Sequence, residues 1–217
     1  IKKGWEIKYL ISIKPTRTDC YLFHYATVEH TKELAGILKI PHILEKCSVA
    51  DPEKEAQIVR KIVEQKQKTT PVNAVILGGT GLQETQIKSI QDALRPLGIE
   101  VFASHSGEEH DLLIEEMLNK GYEIMITQVA SDGLMPWLGR TLTKENFNEL
   151  KRDSMNYKFH IGFEGGYADT LVLDCPIFDK KLKVESFERI VEDKYSGHIK
   201  INKLRVLNKE EKIRTKE

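Results

Sequence analysis

Four consecutive apolar residues, Ala74-Val75-Ile76-Leu77, run directly into Gly78-Gly79-Thr80-Gly81. A segment too short for a helix and apolar at every position is the pattern of a strand buried on both faces, which belongs in a parallel sheet covered by helices. The flanking residues agree. Glu6 to Ile13 reads as a strand stopped by Pro15, His30 to Leu38 as a short helix closed by Ile40-Pro41, and His42 to Cys47 as a second strand. Asp51-Pro52-Glu53 is a strong helix start, with Asp as N-cap and Pro at the first helical position, and Ala56, Val59 and Val63 mark the buried stripe. Thr85 to Leu94 and Ile99 to Ala103 supply the next helix and strand. Such alternation predicts right-handed crossovers, a parallel sheet with helices on both faces, and a ligand at the carboxyl ends of the strands.

The second half changes character. A helix from Glu108 to Lys120 ends at Gly121, a strand follows from Glu123 to Val129, and a loop with Gly133, Pro136 and Gly139 leads to a helix near Lys144 to Asn156. Beyond Gly165-Gly166 the pattern is mostly β: Thr170 to Leu173, Lys181 to Val191 and His198 to Leu207. The fold class expected is α/β, a parallel-sheet domain over residues 1–104 followed by a smaller α+β domain over residues 105–217. At the other end, Lys2-Lys3-Gly4 reads as the last turn of a helix whose body would precede Ile1, since cations and then glycine favour a helix C-terminus.

Charge narrows the function classes. Lys+Arg 33 balances Asp+Glu 33, so there is no basic footprint for DNA or for an anionic membrane. No apolar stretch approaches the roughly 20 residues of a membrane span, and the cytosol is the compartment expected. Cys20, Cys47 and Cys175 are too scattered for a zinc knuckle or a disulfide framework and read as reduced thiols. The seven histidines show no metal-ligand spacing, so no protein-held metal is expected, and no GxSxG nucleophile motif occurs.

Three segments carry candidate chemistry. Gly78 and Gly79 follow a buried strand, where bare backbone can approach a phosphate or an adenine; without GK[ST] or GxGxxG, a plain turn fits equally well. Arg140, beside Gly139 in Trp137-Leu138-Gly139-Arg140, can present its fork to a carboxylate or phosphate, or lie on the surface while Trp137 anchors the loop. In His160 to Thr170, Glu164 and Asp169 flank Gly165-Gly166, so both acids can face one cleft to bind Mg²⁺ or orient an amine nucleophile; the alternative is a glycine hairpin with solvated acids.

Taken in order along the chain, these elements resemble the diphthine–ammonia ligases, a family of N-type ATP pyrophosphatases. The resemblance rests on Phe23-His24, Leu34-Ala35, Ile40-Pro41, the run from Gly121 to Leu134, Trp137-Leu138-Gly139-Arg140, and Glu164-Gly165-Gly166 through Asp174 with Pro176 and Phe178. It implies a Rossmann-like (HUP-type) nucleotide-binding domain and an AMP-forming reaction. In that reaction ATP adenylates the carboxylate of diphthine on elongation factor 2, and ammonia displaces AMP, with Mg²⁺ bridging the phosphates. It places Gly78 and Gly79 on the nucleotide side, His24, Trp137, Arg140, Gly165, Gly166 and Thr170 in the substrate cleft, and Glu164 and Asp169 in catalysis. The family's SGGKDS pyrophosphate signature would lie before Ile1.

The departures are local. Glu164 to Thr170 reads EGGYADT where the family has EGGEYET, and Gln86-Ile87-Lys88-Ser89 stands where the family carries Gln followed by arginines. Three alternatives stay open: a related enzyme acting on another carboxylate, one acting on tRNA, and a non-catalytic nucleotide-binding module. Self-association is also left open.

Overall fold

The computed structural model describes residues 4–78, 83–105, 109–163 and 165–209. Lys2 and Lys3, Gly79 and Glu164 lie outside them. In the first half β1 (Leu10–Pro15) pairs in parallel with β2 (His42–Cys47), joined through α1 (Thr31–Leu38). The ladder starts at Leu10↔His42, so the apolar residues before Leu10 have no strand partner, and the strand is shorter at its start than its sequence pattern predicts. Pro15 closes β1, where its missing N–H matters least.

α2 (Pro52–Lys66) begins as read: the Asp51 side chain accepts from the backbone N–H of Lys54 at 2.9 Å. β3 (Ala74–Leu77) pairs in parallel with β4 (Glu100–Ala103) through α3 (Glu84–Leu94), which opens with a capping box between Gln83 and Gln86.

The sheet itself corrects the expectation. Among the described residues the four strands form two separate parallel pairs rather than one continuous parallel sheet, because no described strand hydrogen-bonds to both β1 and β3. Helices α2 and α3 nonetheless hold the two pairs over one core, in which Ile13, Val59, Val63, Ile90 and Leu94 are buried with Val75, Leu77 and Val101 beside them. α1 instead gives Leu34, Ile37 and Leu38 to a second cluster.

That second cluster underlies the main sheet, which is antiparallel and has five strands. After α4 (His110–Asn119) comes the central strand β5 (Glu123–Ala130), flanked on one side by β7 (Ala168–Asp174). On its other side lie the two-residue β6 (Thr141–Leu142) and the end of β9 (Ser196–Asn208). β8 (Lys180–Val191) extends the sheet as a long ribbon with β9. α5 (Phe147–Tyr157) packs Phe147 and Leu150 into the core beside Trp137. None of the described helices is long and apolar enough to cross a membrane.

Candidate functional site

His24 lies in the loop between β1 and α1, and Asp169 near the start of β7; the His24 Nδ1 is hydrogen-bonded to the Asp169 carboxylate. The Asp169 side chain is buried, whereas that of His24 is 61% exposed, so the imidazole keeps one edge open to solvent. Facing a carboxylate, Nδ1 carries the proton and Nε2 is left as the acceptor. Burial acts to lower the His24 pKa, but the charge and hydrogen bond of Asp169 outweigh it, and the ring titrates above its ordinary 6.5.

A raised imidazole pKa fixes the sign of a stability effect. The pair contributes fully below pH 6.5, the unfolded-state value, and its contribution is lost as the pH rises through the raised folded value. The melting temperature of the parent should therefore exceed that of His24→Gln most at about pH 5.5, and the gap should close toward about pH 9. A gap that stays constant with pH would show that His24 does not titrate against Asp169.

The loop that carries His24 is braced from below by a buried acid. Glu55, fully buried on α2, accepts from the backbone N–H groups of Tyr21 (3.1 Å), Leu22 (2.7 Å) and Asp51 (3.1 Å). Three N–H donors make a buried carboxylate tolerable. Sequence reasoning missed Glu55, although its signal is present: it is a charged residue on the same helical face as Val59, Ile62 and Val63. From the side, Gln86 Nε2 donates to the carbonyl of Tyr21 at 2.9 Å, so the start of α3 also holds the loop.

The glycine pair precedes Asp169 in the chain. Gly165 and Gly166 have φ of +89° and +79°, a left-handed turn that a β-carbon would strain. The Gln83 Nε2 lies 3.7 Å from where a β-carbon on Gly165 would stand, which brings the start of α3 against the turn preceding β7. Gly78 has open space where its own β-carbon would be. The structure thus brings His24 and Asp169 together, with Gly165 and Gly166 just before Asp169 in the chain and Thr170 exposed one residue further along β7. Asp169 is not the solvated acid of the hairpin alternative: it is 8% exposed and paired.

Trp137 and Arg140 are placed differently. Trp137 is fully buried, and its Nε1 donates to Asp153 at 2.8 Å. Arg140 spends its fork on Glu149, with bonds of 2.8 and 2.7 Å, and its guanidinium lies 3.9 Å above the Trp137 ring. Here the fork braces α5 against the loop. Gly139 is required between them, because its φ is +76° and a β-carbon there would sit 2.6 Å from the Phe187 ring.

Among the described residues no three His, Cys, Asp or Glu side chains group to hold a metal ion. Cys20 and Cys47 lie 3.9 Å apart, sulfur to sulfur, and burial first, then the neighbouring Cys47, push the Cys20 thiol up to about 12. At neutral pH it is a thiol rather than a nucleophilic thiolate.

Residues 109–207 match the family model of the diphthamide synthase C-terminal domain. The diphthine–ammonia ligase of Homo sapiens is 30% identical over 133 residues, 60% of this chain and 48% of that protein. That of Rattus norvegicus is 31% identical over the same shares of both chains. That of Danio rerio is 27% identical over 238 aligned residues, 99% of this chain and 92% of that protein. The match thus spans about half the length of the human and rat proteins.

Proposed function

We propose that the chain belongs to the diphthine–ammonia ligase family, which its match to the diphthamide synthase C-terminal domain over residues 109–207 and its likeness to the Homo sapiens and Danio rerio enzymes support, and that it is an ATP-dependent, AMP-forming ligase that converts the diphthine carboxylate of elongation factor 2 to an amide with ammonia. The observation that carries this reading is the His24–Asp169 contact, which joins the two halves of the chain beside the Gly165-Gly166 turn. Asp169 positions the ring by holding Nδ1, and Nε2 takes the proton that the attacking nitrogen loses as the new C–N bond forms. Glu164, adjoining this turn in sequence, is assigned to the same cleft.

On this reading residues 1–104 form a Rossmann-like nucleotide-binding domain and residues 105–217 a substrate domain. The two parallel strand pairs are the flanks of the nucleotide layer, supported by their common core under α2 and α3. Gly78 lies at the carboxyl end of β3 with open space beside it, which suits close approach of a phosphate or adenine; Gly79 is assigned with it. ATP supplies the activated leaving group. Mg²⁺ would accompany ATP and offset the charge of its phosphates, as such ions do when they are held chiefly by substrate. A cytosolic location follows from the elongation-factor substrate.

Incubation with ATP, an ammonium salt and diphthine-bearing elongation factor 2 is expected to release AMP and to convert the diphthine carboxylate to its amide, read by mass spectrometry. ATP binding without AMP release would make this a nucleotide-binding module, and AMP release without amide on diphthine would move the activity to another carboxylate.

A further inference from the structure

A carboxylate that arrives on a folded protein obliges the surface around His24 to seat a macromolecule as well as a side chain. Two exposed tyrosines, one from each half of the chain, approach that surface. Tyr21 precedes His24 by three residues and is 64% exposed, whereas Leu22 and Phe23 between them pack against the first core. Three residues span at most roughly 11 Å, so Tyr21 stands beside His24. Its backbone is held at both ends: the N–H donates to Glu55 at 3.1 Å, and the carbonyl accepts from Gln86 Nε2 at 2.9 Å. Two helices thus fix the chain at a residue whose ring is given to solvent.

Tyr195 lies in the turn between β8 and β9 and is 44% exposed, close in sequence to the exposed Val191. This turn is pinned as well. Asp193 accepts from the backbone N–H groups of Tyr195 (2.6 Å) and Ser196 (2.8 Å), and Glu192 is hydrogen-bonded to His198 Nδ1 at 2.8 Å. The turn meets the loop of His24 through His198, on which Tyr25 packs edge to face with ring centroids 5.5 Å apart.

A single exposed apolar residue is ordinary, but two rings on pinned backbones that approach one loop from opposite halves of the chain are not. An aromatic side chain on a fixed backbone loses little freedom when a partner covers it, and tyrosines are enriched among the residues that carry the energy of protein interfaces. Small ligands are bound by enclosure, which rings so exposed do not supply. The charges beside the rings are of both signs, Arg17 with Asp19 and Lys194 with Asp193, which suits a protein surface better than a polyanion. We propose that Tyr21 and Tyr195 form a docking surface for the protein that carries the carboxylate, gripping it on two sides of His24; the assignment rests on the ligase reading above.

Tyr21→Ala and Tyr195→Ala should each raise the half-saturating concentration of diphthine-bearing elongation factor 2 in the amidation assay at least about tenfold, with those of ATP and ammonium unchanged. The dissociation constant for the same factor, measured by calorimetry, should rise in parallel. In the protein alone, each melting temperature should stay within about 2 °C of the parent, because a solvated ring supports little of the fold. A fall of several degrees would make the tyrosine structural and overturn the proposal. An unchanged dependence on the factor in either variant, or an equal rise for ATP, which would give the ring to the nucleotide base, overturns it while leaving the ligase reading intact. A parent protein that forms no amide at all overturns both.

Discussion

Asp169→Asn should reduce amide formation by at least about a hundredfold, close to 2.7 kcal/mol of transition-state stabilisation, while leaving the fold in place. Asn has the same shape as the acid and can still meet His24, so packing around this buried position is preserved. What disappears is the negative charge that raises the imidazole pKa and stabilises its protonated form. The assay is best run above neutral pH, where the His24–Asp169 pair adds least to stability and a change in rate cannot be confused with unfolding. The melting temperature should then stay within a few degrees of the parent. Near-parental amide formation by Asp169→Asn would remove Asp169 from the mechanism.

Trp137→Ala should act in the opposite way, as a loss of folding free energy of about 3–5 kcal/mol in denaturant titration. Against the roughly 5–15 kcal/mol by which such domains are stable, that is a large share. The ring is fully buried, donates to Asp153 and supports the guanidinium of Arg140, so its removal opens a cavity and loosens the Arg140–Glu149 pair together. Trp137→Phe keeps most of the volume and should lose only about 1 kcal/mol with the indole hydrogen bond. Were Trp137→Ala to unfold at nearly the parental denaturant concentration, the ring would not be the anchor of its loop.

What the sequence discloses and what it hides divide along a physical line. Local chemistry is legible: Asp51-Pro52 starts α2 where capping requires, and the period-2 pattern finds the β8–β9 ribbon to within a few residues. β6 escapes because two residues carry no periodicity. Pairing between strands is non-local, so the alternation of strands and helices predicted a continuous parallel sheet where the described residues form two parallel pairs. The main sheet could not be read for the same reason: nothing in Glu123 to Ala130 announces that β7 and β9 will flank it. Asp169 was legible from its place beside Gly165-Gly166, whereas His24 entered the cleft only through family resemblance. Arg140 had two readings, an anion fork or a solvated charge, and the structure shows a third: a fork closed on Glu149.

The His24–Asp169 contact joins residues 145 positions apart. Closing so long a span opposes chain entropy until most of the intervening structure has been laid down, and contacts of high sequence separation slow the folding of the chains that depend on them. Neither partner can recruit the other locally: one waits on a loop held by α2 and α3, the other on a strand that must first find β5. The pair is therefore a late product of folding, and a chain that has collapsed without docking its halves contains both side chains yet not their contact.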